Sequence, residues 1–534
     1  MGFFADKLSA LTAFDKEYDE FELTETEPGS PDEPYGMRSS GRVDAASEDL
    51  GRVSGSIKKN KKRLSELFRT DINGDVILRG FCTGGGQSML IAYMNGMADD
   101  SKINEFILKP LMEYEGSERG LDGLTENTVR ISEVRLEKDM GEAVLAIMDG
   151  LTVLFAEGDG SCAVLETHGY EKRAVSAAEN EKVVLGPKES FTESFRTNVT
   201  LLRRIIHTDD LTVESRMSGG RNNTRLALIY REGFTNEKLI KEVRRRLDGI
   251  DVDTPLTSGI LEQLIEKHSL FPVPRILSTE RPDRAASHIM QGRVCLIVEG
   301  SPFALVLPIT FFSLMNSPED VYMRRPLGTV LRVVRYIGAV VSVMIPGYFL
   351  ALALYHQGIL TTEVLSTVIA SRKMVFEPIG VEILLLLIIF QMIREAGQRV
   401  PGSIGQAIGI IGGLIMGQAA VTAHLASSVV LIIVAASGLG NFCIPDYSTQ
   451  IAASWVRLAM LLAAWLGGLA GMVAASLLTV CLLADMKSFG VPFLSPFAPK
   501  TRSKRPLILR GAIGLKGSAD DYTNTEPEGR RRRV

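Results

Sequence analysis

Hydrophobic and polar positions are distributed very unevenly along this 534-residue chain. Residues 402–484 hold two formal charges in 83 positions, Asp446 and Arg457, although charged residues make up 23% of the whole sequence. A soluble domain carries charged side chains on its surface, and this segment has almost none. The carboxy-terminal part is therefore predicted to lie in a membrane.

Apolar runs long enough to cross a bilayer need about 20 residues. Runs of that kind occupy 336–355, 404–423, 425–443 and 456–484. Two shorter runs, 302–315 and 381–393, have a length more typical of interfacial, re-entrant or buried helices. We expect an all-α polytopic transmembrane domain of four to six helices over residues 301–498.

Basic residues beside the spans set the expected orientation, because cytoplasmic flanks are enriched in Lys and Arg. Both flanks of the apolar region are basic, so the regions on either side of it are predicted to be cytoplasmic. Arg394 and Arg399 lie between the first span, 336–355, and the next two spans, 404–423 and 425–443. These two arginines fit this scheme less well. The basic flanking residues are Arg324, Arg325, Arg332 and Arg335 on one side, and Lys487, Lys500, Arg502, Lys504 and Arg505 on the other.

The amino-terminal half has the mixed pattern of a soluble α/β or α+β region in two lobes, a first lobe over 54–188 and a second lobe over 189–300. Strands are predicted at 75–81, 88–94 and 226–230, and helices at 58–68, 103–112, 192–206 and 236–247. Residues 142–148 and 151–155 are predicted to form a β-hairpin around Asp149-Gly150, a favourable turn pair.

Both ends of the chain lack the composition of a packed core. Residues 1–50 contain 13 Asp/Glu and 4 Lys/Arg, and such acidic segments remain disordered. We predict a disordered acidic tail over 1–53 and a disordered charged tail over 499–534. The basic stretch after the last span has a composition that can also hold anionic lipid headgroups.

Residues that would carry catalysis or bind a metal are scattered. The five cysteines and six histidines form no CxxC or paired-His spacing, and Gly84-Gly85-Gly86 lacks the Lys that a phosphate-binding loop requires. A net charge of −4 gives no overall electrostatic footprint for nucleic acid. The sequence predicts no enzyme, no cofactor, no metal site and no nucleic-acid partner.

Polar residues beside the apolar runs are the first candidate site. Charges near hydrocarbon are costly and tend to pair or to face water. Arg394 and Glu395 are neighbours in sequence and point in different directions on a helix, so each needs a partner from elsewhere; an interfacial loop in water is the alternative. The candidates for a polar network in the membrane are Arg394, Glu395, Arg399, Asn441 and Asp446.

A helix face of small residues over 404–421 is the second candidate. Small residues let membrane helices approach closely, so helix packing is the favoured role. A pore lining is the alternative, because a face of glycine and glutamine also tolerates water. The candidates for pore lining or helix packing are Gln406, Gly409, Gly413, Gly417 and Gln418.

Several stretches resemble the A subunit of the spore germinant receptors, the GerA family, over about 58–499. They include DVILRGF (75–81), INEFILKPLM (103–112), LGPKESFTESFRTNVTLLRR (185–204), TERPD (279–283), PEDVYMR (318–324), MIREAGQRVPGSIGQAIGIIGGLIMGQAAV (392–421) and SFGVPFLSP (488–496).

The resemblance implies a protein of the spore inner membrane. It implies partnership with a transporter-like B subunit, which recognises a nutrient, and with a lipoprotein C subunit. It further implies a homo-oligomeric ring, expected to be a pentamer, acting as a nutrient-gated cation channel. A non-conducting membrane scaffold, such as a sporulation-stage relative that amplifies germination signalling, is the alternative.

Overall fold

The computed structural model describes most of the chain between residues 50 and 498. The described residues are 50–116, 120–169, 178, 180–219, 223–252, 254, 256–266, 272–399, 413, 415–498 and 523. Two sheet-containing units come first, for which we keep the names first lobe and second lobe, and a helical region follows. Residues 1–49 and most of 499–534, where the tails are predicted, lie outside this description.

The first lobe is built on a five-stranded antiparallel sheet with the order β1-β2-β4-β5-β3. Consecutive residues of β2 point to opposite faces, with Met89 and Ile91 in one core and Leu90 and Ala92 in the other. Both faces are therefore apolar and both need a cover. The strands are β1 (Val76–Cys82), β2 (Ser88–Met94), β3 (Val134–Glu137), β4 (Thr152–Ala156) and β5 (Cys162–Leu165).

Helices supply that cover on both faces of the first sheet. Ile57–Phe68 and Met140–Met148 pack on one face. Leu121–Asn127 packs on the other, together with one helical stretch made of Asp100–Lys102, the π-helical Ile103–Leu108 and Lys109–Glu113. Residues 50–53, assigned above to the acidic tail, lie against this lobe, because Val53 is buried and Arg52 forms a bridge with Asp139.

The hairpin predicted at 142–155 is wrong in its first half. Met140–Met148 is a helix, and the Asp139 carboxylate caps it by accepting from the backbone N–H of Gly141 at 2.8 Å. This helix is buried on most sides, so its sequence lacks the polar face that marks an amphipathic helix. Asp149-Gly150 is consequently a helix-to-strand turn, with Gly150 at a φ of +85°.

The second lobe repeats the arrangement with the sheet order β6-β7-β9-β10-β8. Helices Phe195–Ile205 and Pro282–Ile289 pack on one face, and Glu237–Asp248 and Ser258–Ile265 on the other. The strands are β6 (Leu211–Ser218), β7 (Thr224–Arg231), β8 (Leu277–Thr279), β9 (Val294–Val298) and β10 (Ala304–Leu307).

Strand β10 lies beyond residue 301, where the membrane region was expected to start. The second lobe therefore extends further along the chain than expected. The apolar run 302–315 contains this interior strand, which pairs with β8 and β9, and the short helix Phe311–Met315. Its residues are apolar because both faces of the sheet are buried, which sequence alone does not distinguish from a membrane segment.

Among the described residues, two helical segments are long and apolar enough to cross a bilayer, Arg325–Tyr355 and Tyr447–Asp485, so the four to six predicted spans are not all established. We call the former the first apolar helix. Within the described residues, the run 381–393 lies in Ile379–Arg399 and the run 425–443 in Ser428–Phe442. The remaining helices are Glu319–Tyr322, the 3-10 turn Gln357–Ile359, Thr362–Arg372 and residues 415–422.

Tyr447–Asp485 is a helical hairpin, and not the single span predicted at 456–484. Gly468 has φ 57° and ψ −140°, which interrupts the helix. The hydroxyl of Ser476 lies 3.7 Å from the sulfur of Met460, although sixteen residues of straight helix would separate them by about 24 Å. The Tyr355 hydroxyl donates to the Trp465 carbonyl at 2.7 Å, beside the turn. Arms 447–467 and 469–485 therefore run antiparallel.

The chain returns to the second lobe after the helical hairpin. The short strands β11 (Lys487–Ser488) and β12 (Val491–Pro492) pair, and Phe493 is fully buried in the lobe's core. The Ser488 hydroxyl accepts from the backbone N–H of Ile309 at 3.0 Å. We call 486–497 the return segment. Both ends of the helical region are thus attached to one lobe.

Candidate functional site in the helical region

The structure describes only some of the glycine and glutamine residues that were proposed for pore lining or helix packing. Gln406 and Gly409 lie outside the described residues. A Cβ added to Gly413 would meet no described heavy atom within 4 Å, whereas one on Gly417 would lie 3.4 Å from the Leu431 side chain. Gln418 is exposed. Gly417 thus faces Ser428–Phe442, while Gly413 and Gln418 are not covered by the described part of the chain.

Arg394 and Asn441, both predicted members of a polar network, are brought together. In the amide orientation that satisfies both groups, Asn441 accepts from Arg394 Nη1 at 2.6 Å and donates to the Gln450 carbonyl at 3.3 Å. Arg394 is 8% exposed and Asn441 1%. The cation is therefore buried between helices and not in an interfacial loop.

The other three members of the predicted network are not part of this contact. Glu395 is exposed, and the side chain of Arg399 lies outside the description. Asp446 caps the helical hairpin, because its carboxylate accepts from the backbone N–H and the hydroxyl of Thr449 at 2.7 Å each. Such a cap contributes about 1 kcal/mol to helix stability.

Arg457 joins the buried polar groups, and the sequence analysis did not select it. Its Nη1 donates to the Ser437 hydroxyl at 3.1 Å, and that hydroxyl donates to the Ser342 carbonyl at 2.7 Å. Arg457 is 4% exposed, and Arg394 is close enough to repel it electrostatically. The signal was available, since Arg457 is the single cation in 402–484. We call Arg394, Asn441, Arg457, Ser437 and Ser342 the arginine cluster.

A second polar group lies where the first apolar helix begins. Asp320 is fully buried, accepts two bonds from Arg335 at 2.6 and 2.7 Å, and accepts a third from Arg332 Nε at 3.0 Å. Charge-assisted bonds of this kind are strong and directional. The two arginines, taken above as orientation signals, therefore anchor the helix to Glu319–Tyr322.

This anchor continues into the second lobe. The Tyr322 hydroxyl donates to Asp283 at 2.6 Å, and Arg281 Nη2 donates to the same carboxylate oxygen at 2.7 Å. Burial and the nearby Asp283 carboxylate raise the pKa of Tyr322 to about 12, so the phenol remains a donor at neutral pH. A chain of polar contacts thus joins the helix Pro282–Ile289 to the first apolar helix.

The family follows from the sequence as a whole. The model of the Bacillus/Clostridium GerA spore germination protein family matches residues 62–516. The chain belongs to the GerA family. The GerA assignment confirms the predicted resemblance and places the chain among the A subunits of spore germinant receptors.

Individual GerA relatives match over most of their length. Spore germination protein KA of Bacillus subtilis (strain 168) is 34% identical over 451 residues, 84% of this chain and 82% of the relative. The uncharacterized membrane protein YfkQ of the same organism is 32% identical over 453 residues, 85% and 88% of the two chains. The crystal structure of the N-terminal domain of the A subunit of the Bacillus megaterium receptor GerK3 is 28% identical, covering 49% of this chain and 98% of that chain, with a TM-score of 0.37.

Proposed function

We propose that the chain is the membrane subunit of a nutrient-sensing germinant receptor, and that copies of its helical region surround a cation pathway that opens to start germination. The observation that carries this proposal is the uncovered helix face at Gly413 and Gln418. A Cβ added to Gly413 would meet no described heavy atom within 4 Å, and Gln418 is exposed. A face of small and polar residues suits either close helix packing or water.

The outer surface of the helical region supports assembly in a lipid bilayer. Large apolar side chains are exposed on both long helices, including Ile337 at 58%, Trp455 at 60% and Leu466 at 86%. Continuous apolar exposure of this kind marks a surface that is covered by lipid or by another protein. Copies of the chain, expected to number five, would cover part of it and lipid the remainder.

The return segment supports an even number of crossings. The first apolar helix starts beside the second lobe, and the helical hairpin delivers Phe493 back into the same lobe. The lobes and both terminal regions would then lie in the cytoplasm, with the helices in the spore inner membrane. A transporter-like B subunit and a lipoprotein C subunit would complete the receptor, as in the family that the chain resembles.

The anchor at Asp320 supports a route from the lobes to the helices. A displacement of Pro282–Ile289 would be carried by Asp283 and Tyr322 to the buried carboxylate that holds Arg332 and Arg335. In this scheme a change in the lobes tilts the first apolar helix, which packs against the helical hairpin.

Replacement of Gln418 by leucine tests the pathway. In spores that carry Gln418→Leu, we expect nutrient-triggered release of monovalent cations to fall at least tenfold, because leucine removes a polar group from the wet face. Gln357→Leu, in the exposed 3-10 turn that follows the first apolar helix, makes the same chemical change and serves as the control. Ion release is followed by flame photometry, and assembly by native mass spectrometry of the detergent-extracted protein.

Assembly with normal cation release in Gln418→Leu would contradict the assignment of this helix face to the pathway. Cation flux through the purified assembly in planar bilayers separates a channel from a scaffold. A complex that assembles with its partner subunits and passes no current under nutrient would favour the non-conducting scaffold.

A further inference from the structure

Two buried guanidinium groups meet only neutral partners in the arginine cluster. Arg394 is bonded to the Asn441 amide, and Arg457 to the Ser437 hydroxyl. Among the residues that the structure describes, neither arginine forms an ion pair, whereas Arg332, Arg335 and Arg372 in the same helical region each have a carboxylate within 4.0 Å. Two like charges thus lie near each other with no counter-charge among the described residues.

Ser342 adds an unused hydrogen-bond donor to this place. Its hydroxyl oxygen is buried, and no described group bonds to it, although its carbonyl oxygen accepts from the Ser437 hydroxyl at 2.7 Å. Buried hydroxyls normally have a partner, so an unbonded one calls for an explanation. Hydrogen bonds join Arg457 to Ser437 and Ser437 to the Ser342 carbonyl. Arg394 is linked to this set through its electrostatic repulsion of Arg457.

The charge balance points to an anion. Neighbouring buried cations in an apolar helix bundle repel each other and lack the hydration that would stabilise them in water. An acceptor that bears a negative charge would relieve the repulsion and take up the free N–H and O–H donors together. We propose that the arginine cluster binds one small inorganic anion, of the size and charge of chloride, inside the helical region.

The burial of the cluster selects a small occupant. Arg394 and Arg457 are 8% and 4% exposed, and Ser342 and Ser437 are fully buried. A carboxylate on the side chain of another subunit would have to pass between the helices of this chain to reach them, whereas a monatomic anion needs no such opening. This proposal does not depend on whether the helical region conducts cations.

The test measures thermal unfolding of the full-length chain in detergent while chloride replaces gluconate. Ionic strength is held at about 0.15 M so that screening is constant. Gluconate is too large for the cluster and serves as the reference anion. Above the dissociation constant, each tenfold rise in chloride should raise the unfolding midpoint of the helical region, a unit of about 180 residues, by roughly 3–5 °C, as expected for a ligand that binds only the folded state. Equal midpoints in the two salts would overturn the proposal.

Variants locate the effect. Arg457→Gln and Arg394→Gln should each abolish the dependence on chloride, whereas Arg324→Gln, which removes a charge at an exposed position, should retain it.

A fourth variant keeps the test valid where the arginine variants do not fold. Gln391 lies one turn before Arg394 with its side-chain oxygen buried and unbonded, so Gln391→Glu supplies an internal carboxylate. This variant should be as stable without chloride as the parent is with it. Retention of the full chloride effect in Gln391→Glu would overturn the proposal. Stabilisation that depends on protein concentration and not on chloride would also overturn it, because it would indicate a carboxylate from another subunit.

Discussion

Asp320 shows how one residue can connect two parts of this protein. It is the only described carboxylate bonded to Arg332 and Arg335, and it is fully buried. Removal of its charge leaves two largely buried arginines without a counter-charge, which typically costs about 3–5 kcal/mol. Asp320→Asn should therefore lower the stability of the helical region by about 3 kcal/mol.

Chemical unfolding in detergent measures this change. Asp71→Asn removes the same charge at an exposed position of the first lobe and should stay within about 0.5 kcal/mol of the parent. If the two variants unfold alike, the anchor between the second lobe and the first apolar helix has no energetic importance.

A pair of glutamates makes the second lobe sensitive to pH. Burial, together with the charges of Glu266 and Asp446, raises the pKa of Glu262 to about 8. Burial raises the pKa of Glu266 to about 7, although the backbone N–H of Arg275 bonds to its carboxylate at 2.7 Å. The pKa of each carboxyl is raised above its ordinary value of 4.5. Between the ordinary pKa and the raised pKa, the folded state therefore binds more protons than the unfolded state.

Stability should therefore fall as the pH rises from about 5 to about 8. Below that window both states are protonated, and above it both are charged. Glu262→Gln should flatten the curve and raise the unfolding midpoint at pH 8, as measured by calorimetry, whereas Glu105→Gln on the surface of the first lobe should leave the pH dependence unchanged. A parent protein that gains stability over the same interval would contradict the raised pKa values.

Sequence reasoning at this scale identified Arg394 and Asn441 but not their connection to each other. It treated polar residues in an apolar segment as expensive and in need of partners. The structure places the Asn441 amide 2.6 Å from Arg394 Nη1. It assigned Asp446 to the same network, although an acidic residue just before a helix is equally suited to capping. Partners from distant segments, such as Ser342 for Ser437, depend on how the helices pack and carry no local signal.

At the scale of elements, the turn at Gly468 should be intolerant of any side chain. Its φ of 57° and ψ of −140° fall in a region open essentially to glycine, and an added Cβ would lie 3.0 Å from the Tyr355 ring. Gly468→Ala should lower stability by about 1–3 kcal/mol. The adjacent Gly467 has open space at its Cβ, so Gly467→Ala is a matched control.

Thermal unfolding of the two alanine variants measures the difference. A continuous helix through 447–485 would instead be stabilised by alanine at both positions, since glycine is a poor helix former. Equal stabilisation of the two variants would therefore refute the hairpin.

Helical hairpins of this kind are difficult to predict because apolarity continues through the turn. The run 456–484 carries no charge after Arg457, and the pair Gly467-Gly468 is also explained by helix packing. The same ambiguity affected 302–315 and 140–148, where full burial removes the polar positions that distinguish strands from helices. Amphipathic elements, such as Ile57–Phe68 and Glu237–Asp248, were predicted nearly to their ends.

At the scale of the whole molecule, the two lobes share one plan. In each sheet the first, second, fourth, fifth and third strands are neighbours in that order. Helices precede the first strand, follow the second and follow the third in both lobes. The sequence predicted two α/β lobes but not their common topology, because equivalent positions require only apolar residues and no particular ones.

The return segment should be essential to the second lobe. Phe493 is fully buried and stacks edge-on against Phe311 with the ring centroids 6.3 Å apart, whereas Phe497 is 71% exposed. Phe493→Ala should destabilise the lobe by about 3–5 kcal/mol, the usual cost of a large cavity in a core. Phe497→Ala should cost less than about 0.5 kcal/mol.

Hydrogen exchange of strands β9 and β10 reports on this lobe within the full chain. Loss of protection in Phe493→Ala alone is the expected result. Equal protection in both alanine variants would show that the lobe is complete without the return segment.

The position of the return segment also affects the order of events during synthesis. Ribosomes add about 5–20 residues per second, so roughly 10–40 s pass between the emergence of Leu307 and that of Phe493. During this interval the nascent chain must deliver its helices to the bilayer while one apolar face of the lobe lacks its last cover. A polypeptide that fails to insert is therefore left with an unfinished second lobe, exposed to chaperones and proteases.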